Sequence, residues 1–139
     1  MFITKDDLLM AIRQEELEAL TEGDDALIEH SISVAISEVR SYLSARYDTD
    51  NVFNASGANR NPLILRFCVD ISIYELAAIA QPGIDLADRR ARKDRAIEWL
   101  KGVQKEQINP DLPVEANEDG TDPKISIQAG SNTKRNLHY

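Results

Sequence analysis

The chain contains one cysteine and two histidines, and glycine and proline together supply only eleven of its 139 residues. A single thiol, Cys68, excludes an intrachain disulfide and any multi-cysteine metal site. It falls in the most apolar stretch, where a free cysteine behaves as a small core residue. Neither His30 nor His138 neighbours it in sequence, so no base is at hand to activate it. There is no glycine-rich phosphate loop, no G-x-S-x-G elbow and no His-x-x-x-His pair. His30 reads as a surface histidine, and His138 lies beside the C-terminus, where order is least expected. Carboxylates are plentiful, but acid–base catalysis needs one of them in a dry cleft, and no spacing here marks such a pair. No enzyme and no cofactor are expected.

Basic charge is in deficit: 16 Lys and Arg against 24 Asp and Glu leave a net charge of −8. The imbalance is uneven, with −7 over residues 1–60, +1 over 61–108 and −2 over 109–139. An acidic first half repels phosphate and opposes the counterion release that drives nucleic-acid binding, so no specific nucleic acid is expected. The same asymmetry favours head-to-tail contact between identical subunits. Long uninterrupted apolar runs are also missing. Leu63 to Ala80 approaches the length of a membrane span but carries Arg66, Asp70 and Glu75, each costing about 2.5–3.5 kcal/mol near a bilayer centre. A buried helix of a soluble protein with no membrane partner is the expectation. The start, MFITKDDLL, has no basic segment followed by an apolar one and a small-residue cleavage site, so no signal peptide and a cytoplasmic location are expected.

What the chain does have is helical punctuation. Thr4 with Asp7 reads as a capped start of a short helix over Lys5 to Ile12, and Gln14 to Leu20 continues it or adds a turn, with Leu17 and Leu20 on one face. Gly23 can end this segment and Asp24 can cap the next. From Asp25 to Tyr47, Ile28, Ile32, Ala35, Ile36, Val39 and Leu43 form an amphipathic stripe. Asp48 to Asn61 is rich in Asp, Asn, Ser and Gly and reads as a loop pinned by Val52 and Phe53. Its Asp48 and Asp50 lack the later Gly and Glu of a calcium loop, so no metal is expected.

Asn61 and Pro62 then open the most apolar helix, PLILRFCVDISIYELAAIA, closed by Gln81-Pro82-Gly83. A helix apolar on nearly every face must be buried. Its Arg66 and Asp70, four apart, can pair with each other or with neighbouring helices. Asp85 to Gln107 forms the last helix, with Leu86, Ala87, Ala91, Ala96, Ile97, Leu100 and Val103 inward and Trp99 at the border.

The expected fold is therefore all-α: a small bundle of about four helices around a buried central helix over residues 1–108. Residues 109–139 follow as an extended or disordered tail. Within the tail, Lys124-Ile125-Ser126-Ile127-Gln128 alternates apolar and polar, as an arm that adds a strand to a partner would. Three stretches are candidate assembly surfaces. The first is acidic, with Glu15, Glu16, Glu18, Glu22 and Glu29. The second is basic, with Arg89, Arg90, Arg92, Lys93 and Arg95, and the third is the arm at Lys124, Ile125 and Ile127.

The order of these elements carries a resemblance. The start Phe2-Ile3-Thr4-Lys5-Asp6-Asp7-Leu8 is followed by a helix ending Ser41-Tyr42-Leu43-Ser44-Ala45-Arg46-Tyr47. Next come an apolar helix holding Asp70 and Tyr74, and a segment Ala96-Ile97-Glu98-Trp99-Leu100. The set resembles the Mu-like bacteriophage head-tail connector family over about residues 1–105. The resemblance implies a structural protein of phages or prophages that oligomerises into a ring and joins the portal to the tail, with other copies of itself and portal or tail-completion proteins as partners. It implies a location in the bacterial host's cytoplasm and then the virion neck, and it carries over no catalytic residue. The polar linker Asp48 to Asn61 and the tail after Ile108 depart from the family pattern. The alternative is a protein-binding adaptor or regulatory module that uses the acidic face or the tail.

Overall fold

In a computed structural model, residues 1–80 and 86–115 are described. Among them are six α-helices: α1 (Lys5–Leu8), α2 (Gln14–Thr21), α3 (Asp25–Leu43), α4 (Thr49–Asn54), α5 (Pro62–Ala80) and α6 (Ala87–Gln104). A 3₁₀ turn at Gly57–Asn59 precedes α5. No strand forms among the described residues, and the one extended pairing is an isolated antiparallel bridge between Tyr47 and Val114. The protein is a helical bundle built around α5, as its sequence pattern predicts.

α5 begins where Asn61 turns its side-chain oxygen onto the free N–H groups of Leu63 and Ile64, at 3.0 and 3.1 Å. Pro62 needs no such partner. From there α5 buries Ile64, Phe67, Cys68, Val69, Ile71, Ile73, Leu76 and Ala77 together with the polar Asp70 and Ser72. These positions lie all round the helix, and α1, α2, α3 and α6 all contact it. α3 supplies the largest neighbour through Ile28, Ser31, Ile32, Ala35, Val39 and Leu43, the expected stripe. Small residues on both helices, Ser31 and Ala35 on one and Cys68 and Ser72 on the other, are completely buried. Ser72 solves its hydroxyl's hydrogen-bonding locally by donating to the Cys68 carbonyl at 2.8 Å. The Ser31 hydroxyl has no partner among the described residues. No helix among the described residues is long and apolar enough to cross a membrane.

Several details differ from the sequence expectation, beginning with two helix ends: α1 stops at Leu8 instead of Ile12, and α3 at Leu43 instead of Tyr47. Glu22, not Gly23, takes the left-handed C-cap of α2 with φ 53°, and Gly23 follows at φ 79°. The stretch Asp48 to Asn61 is not a plain loop. Asp48 accepts the Asn51 N–H at 3.1 Å and starts α4, while Val52 and Phe53 bury themselves and Phe53 meets Phe2 edge-on at 5.0 Å. Asp and Asn favour turns and helix caps alike, so composition does not separate the two. In α6, Ala96, Leu100 and Val103 are buried as expected, but Ala87 and Ala91 are exposed. Its first turns lean on long charged side chains instead of an apolar face.

The packed chain also continues beyond Ile108. Leu112 is buried, Asp48 donates its N–H to the Pro113 carbonyl at 2.9 Å, and Glu115 donates to the Arg46 carbonyl at 3.1 Å. Arg46, itself buried, reaches Asn109 Oδ1 at 3.1 Å and the Tyr47 hydroxyl at 2.8 Å. This return strap lies across the end of the bundle formed by the C-terminus of α3 and the N-terminus of α5. The helix-breaking Gln81-Pro82-Gly83 and Asp85, and the tail from residue 116, fall outside the described residues.

Ile71 and Ser31 make opposite predictions about this core. Ile71→Ala should cost about 2–5 kcal/mol, because a fully enclosed side chain leaves a cavity. Ser31→Ala should raise stability by about 1 kcal/mol by removing an unpartnered buried hydroxyl. Urea unfolding followed by circular dichroism checks both; an Ile71→Ala midpoint equal to wild type would contradict the central role of α5.

Candidate functional site

The described residues contain no group of three or more His, Cys, Asp or Glu side chains placed to hold a metal ion. Burial pushes the Cys68 thiol far above its usual range, so it is inert rather than nucleophilic. The predicted assembly residues among the described ones divide by charge.

The acidic surface rises from α2 and the start of α3. α2 has to bury Leu17 and Leu20 against α5, which turns Glu15, Glu16 and Glu18 outward. Glu22 and Glu29 are exposed as well. The basic surface lies on α6, and its cations divide into two groups. Arg89 donates to Glu16 at 2.6 Å, so one predicted basic residue and one predicted acidic residue meet within a single chain. Lys93 bonds Glu75 at 3.2 Å and lies 4.8 Å from the centre of the Tyr74 ring. Arg90 reaches the Tyr74 hydroxyl at 3.3 Å. Arg89 and Lys93 pin α6 to α2 and α5 through ion pairs, while Arg90 stays exposed with one long hydrogen bond to a hydroxyl.

Arg92 and Arg95 behave differently. Both are exposed, and neither makes an ion pair or hydrogen bond with another described residue. Three apart on α6, they share a side of the helix and face the buried Asp70 of α5. Arg66 joins them, with its Nε 3.5 Å from Asp70 Oδ2 and its side chain 57% exposed. The pair expected from the i, i+4 spacing is thus half in the core and half in solvent. Burial holds the Asp70 carboxyl above the usual carboxylate range, against the pull of Arg66, Arg92 and Arg95. Three guanidinium groups around one buried carboxyl leave a surface with excess positive charge.

Next to this cluster is a cavity of about 370 Å³ between the turn after α1, α5 and α6. It is lined by Met10, Ala11, Pro62, Leu65, Val69, Asp7, Arg66 and Arg92. Met10 is 81% exposed at the edge of this cavity. Asp7 is already committed. Its Oδ2 accepts from the Thr4 N–H at 2.7 Å, the Thr4 hydroxyl at 3.0 Å and Arg60 Nη1 at 2.8 Å. Arg60 in turn ties the Phe2 carbonyl at 2.8 Å. Burial raises the Asp7 carboxyl, but the bonds from Arg60 and Thr4 outweigh it and hold it below the usual range. Sequence reading found the Thr4–Asp7 cap and missed Arg60, because 53 residues separate it from Asp7 and no local pattern links them. Lys124, Ile125 and Ile127, the predicted arm, fall outside the described residues.

Comparison with known proteins adds one match. The family described as Bacteriophage Mu, Gp36 matches residues 2–128. That span includes all six helices and the return strap. Comparison with curated proteins and with solved structures finds no match.

The two carboxylates should answer to pH in opposite senses. Asp7, with its pKa lowered on folding, contributes stability that is present above about pH 4, its unfolded value, and is lost as pH falls through the lower folded value. Asp70, with its pKa raised, penalises the fold as pH climbs from the unfolded value through the folded one. Asp7→Asn should therefore lower the melting temperature at pH 7 by more than at pH 3. Asp70→Asn should raise it at pH 7 and leave it nearly unchanged at pH 3. Calorimetry across this range reads both; equal shifts at the two pH values would refute the assignment.

Proposed function

Since the chain belongs to the bacteriophage Mu Gp36 family, and is on that ground a phage structural or morphogenesis protein, we propose that it acts as a head-tail connector. In this role it assembles as a ring of identical subunits between the portal and the tail, first in the host cytoplasm and then in the virion neck. It performs no reaction and needs no cofactor. The family match over nearly the whole chain carries the reading. The surfaces described above support it.

A ring needs two unlike surfaces that fit one another, so that each subunit offers one and receives the other. The exposed carboxylates Glu15, Glu18, Glu22 and Glu29 provide a negative surface, and Arg90 and Arg95 a positive one. Contact between them steers subunits together and sets register more than it adds raw affinity. Arg89 and Glu16 neutralise each other within the subunit and so belong to the fold, not to the joint. The portal and tail-completion proteins are the remaining partners.

Charge reversal at Arg90→Glu with Arg95→Glu should leave the helical circular-dichroism spectrum intact and abolish ring formation on the portal, while reversal of Glu15 and Glu18 to Arg in the same chain should partly restore it. Light scattering and negative-stain electron microscopy with the portal protein read the outcome. Rings that survive the double reversal, or an absence of portal association at every salt concentration, would overturn the proposal.

A further inference from the structure

We propose that the cavity beside Met10 is a docking groove for residues 116–128 of this chain, with the acidic part of that segment on Arg66 and Arg92 and its paired isoleucines in the apolar floor. This goes beyond the connector reading and does not depend on it.

The groove has the composition of a peptide site. Its floor is apolar, made by Met10, Pro62, Leu65 and Val69, and two guanidinium groups stand at its rim. Its lining carboxylate, Asp7, is already satisfied by Arg60 and Thr4, and Arg66 and Arg92 share the one buried carboxyl of Asp70, so the net charge at the groove is positive. The matching segment would be acidic and would carry an apolar anchor. Residues 116–128 contain Glu118, Asp119 and Asp122 against one basic residue, Lys124, a net charge of −2 with all three acids ahead of it. Ile125 and Ile127 follow, and in an extended segment two residues apart lie on one side, about 6.6 Å from each other. Acid first and two aliphatic anchors second is the complement of the groove, and extended segments commonly dock in this way through alternate side chains.

The path of the chain allows it. The last described residue, Glu115, is held at the end of the bundle by the Arg46 carbonyl. Just before it, the Asp111 carbonyl accepts from the side chain of Asn61 at 3.4 Å. Asn61 precedes Pro62, which is itself part of the groove. The strap therefore passes the N-terminus of α5, where the groove begins. Ten further residues reach Ile125, an extended span of about 33 Å, ample for a groove that opens beside the strap at Pro62.

A photo-crosslinker introduced at Met10 of the full-length protein tests this, with the products mapped by peptide mass spectrometry. A probe at Ile79 serves as the control, since that residue is exposed and lies on α5 about 21 Å along the helix from Leu65. Crosslinks from Met10 should fall within residues 116–128 of the same copy, so that a mixture of isotope-labelled and unlabelled protein gives no mixed-label product. They should drop about tenfold in Arg66→Glu/Arg92→Glu and in Ile125→Asp/Ile127→Asp, as the loss of paired rim charges or of anchors requires. Circular dichroism confirms that each variant is folded. Crosslinks that map elsewhere, match the Ile79 control, or persist in the charge-reversed protein would overturn the proposal. Because a dilute monomer can report crosslinks within one copy, failure of the ring leaves this result readable, and loss of the crosslinks leaves the ring to its own test.

Discussion

Burial of the middle of α5, where every residue from Phe67 to Ile73 is enclosed, is the constraint that places the other helices. An apolar residue faces outward on almost every turn of Pro62–Ala80, so this helix has no acceptable solvent face and must be enclosed. α3 and α6 supply the long walls, and the short α1 and α2 close the remaining side. Once α5 is enclosed, polar atoms within it need local solutions. Ser72 turns to the Cys68 carbonyl, and Asp70 leans toward the edge where Arg66 can reach it. The cost of placing Asp70 there is part of what gathers arginines on that side of the bundle.

That gathering joins the core to the surface. Arg66 from α5 and Arg92 and Arg95 from α6 all act on Asp70, yet only Arg66 approaches it closely. The positive charge left over lies beside the apolar cavity under Met10. The carboxylates of α2 and α3 lie on another surface, because α2 has to point Leu17 and Leu20 inward. Packing α5 thus fixes which charged side chains meet within the chain and which stay exposed.

The first turns of α6 show how charge substitutes for apolar burial. Arg89 to Glu16 and Lys93 to Glu75 hold a segment whose alanines face solvent. Such pairs are only partly desolvated and each contributes little alone. Their combined effect is orientation, since they fix how α6 crosses the bundle and so where Arg92 and Arg95 point. The Arg60–Asp7 pair does the same for the N-terminal segment by tying it to the turn before α5.

The helices themselves were legible in the sequence wherever the pattern is local. The α3 stripe, the Asn61-Pro62 start and the limits of α5 follow from periodicity and capping chemistry, which depend on residues three or four apart. The all-α bundle and its central helix were determined at that level, as was the resemblance carried by the ordered motifs. Composition alone did not separate loop from helix at Asp48 to Asn54, where the same residues serve both. Only the tertiary structure decided which charges are spent inside the subunit and which remain outside. Arg89 and Arg92 are three residues apart with the same chemistry, yet Arg89 bonds Glu16 from 73 positions away, whereas Arg92 acts on Asp70 only at a distance. Side-chain pairing across such separations is set by how helices cross, and a linear pattern of charge contains no record of the crossing.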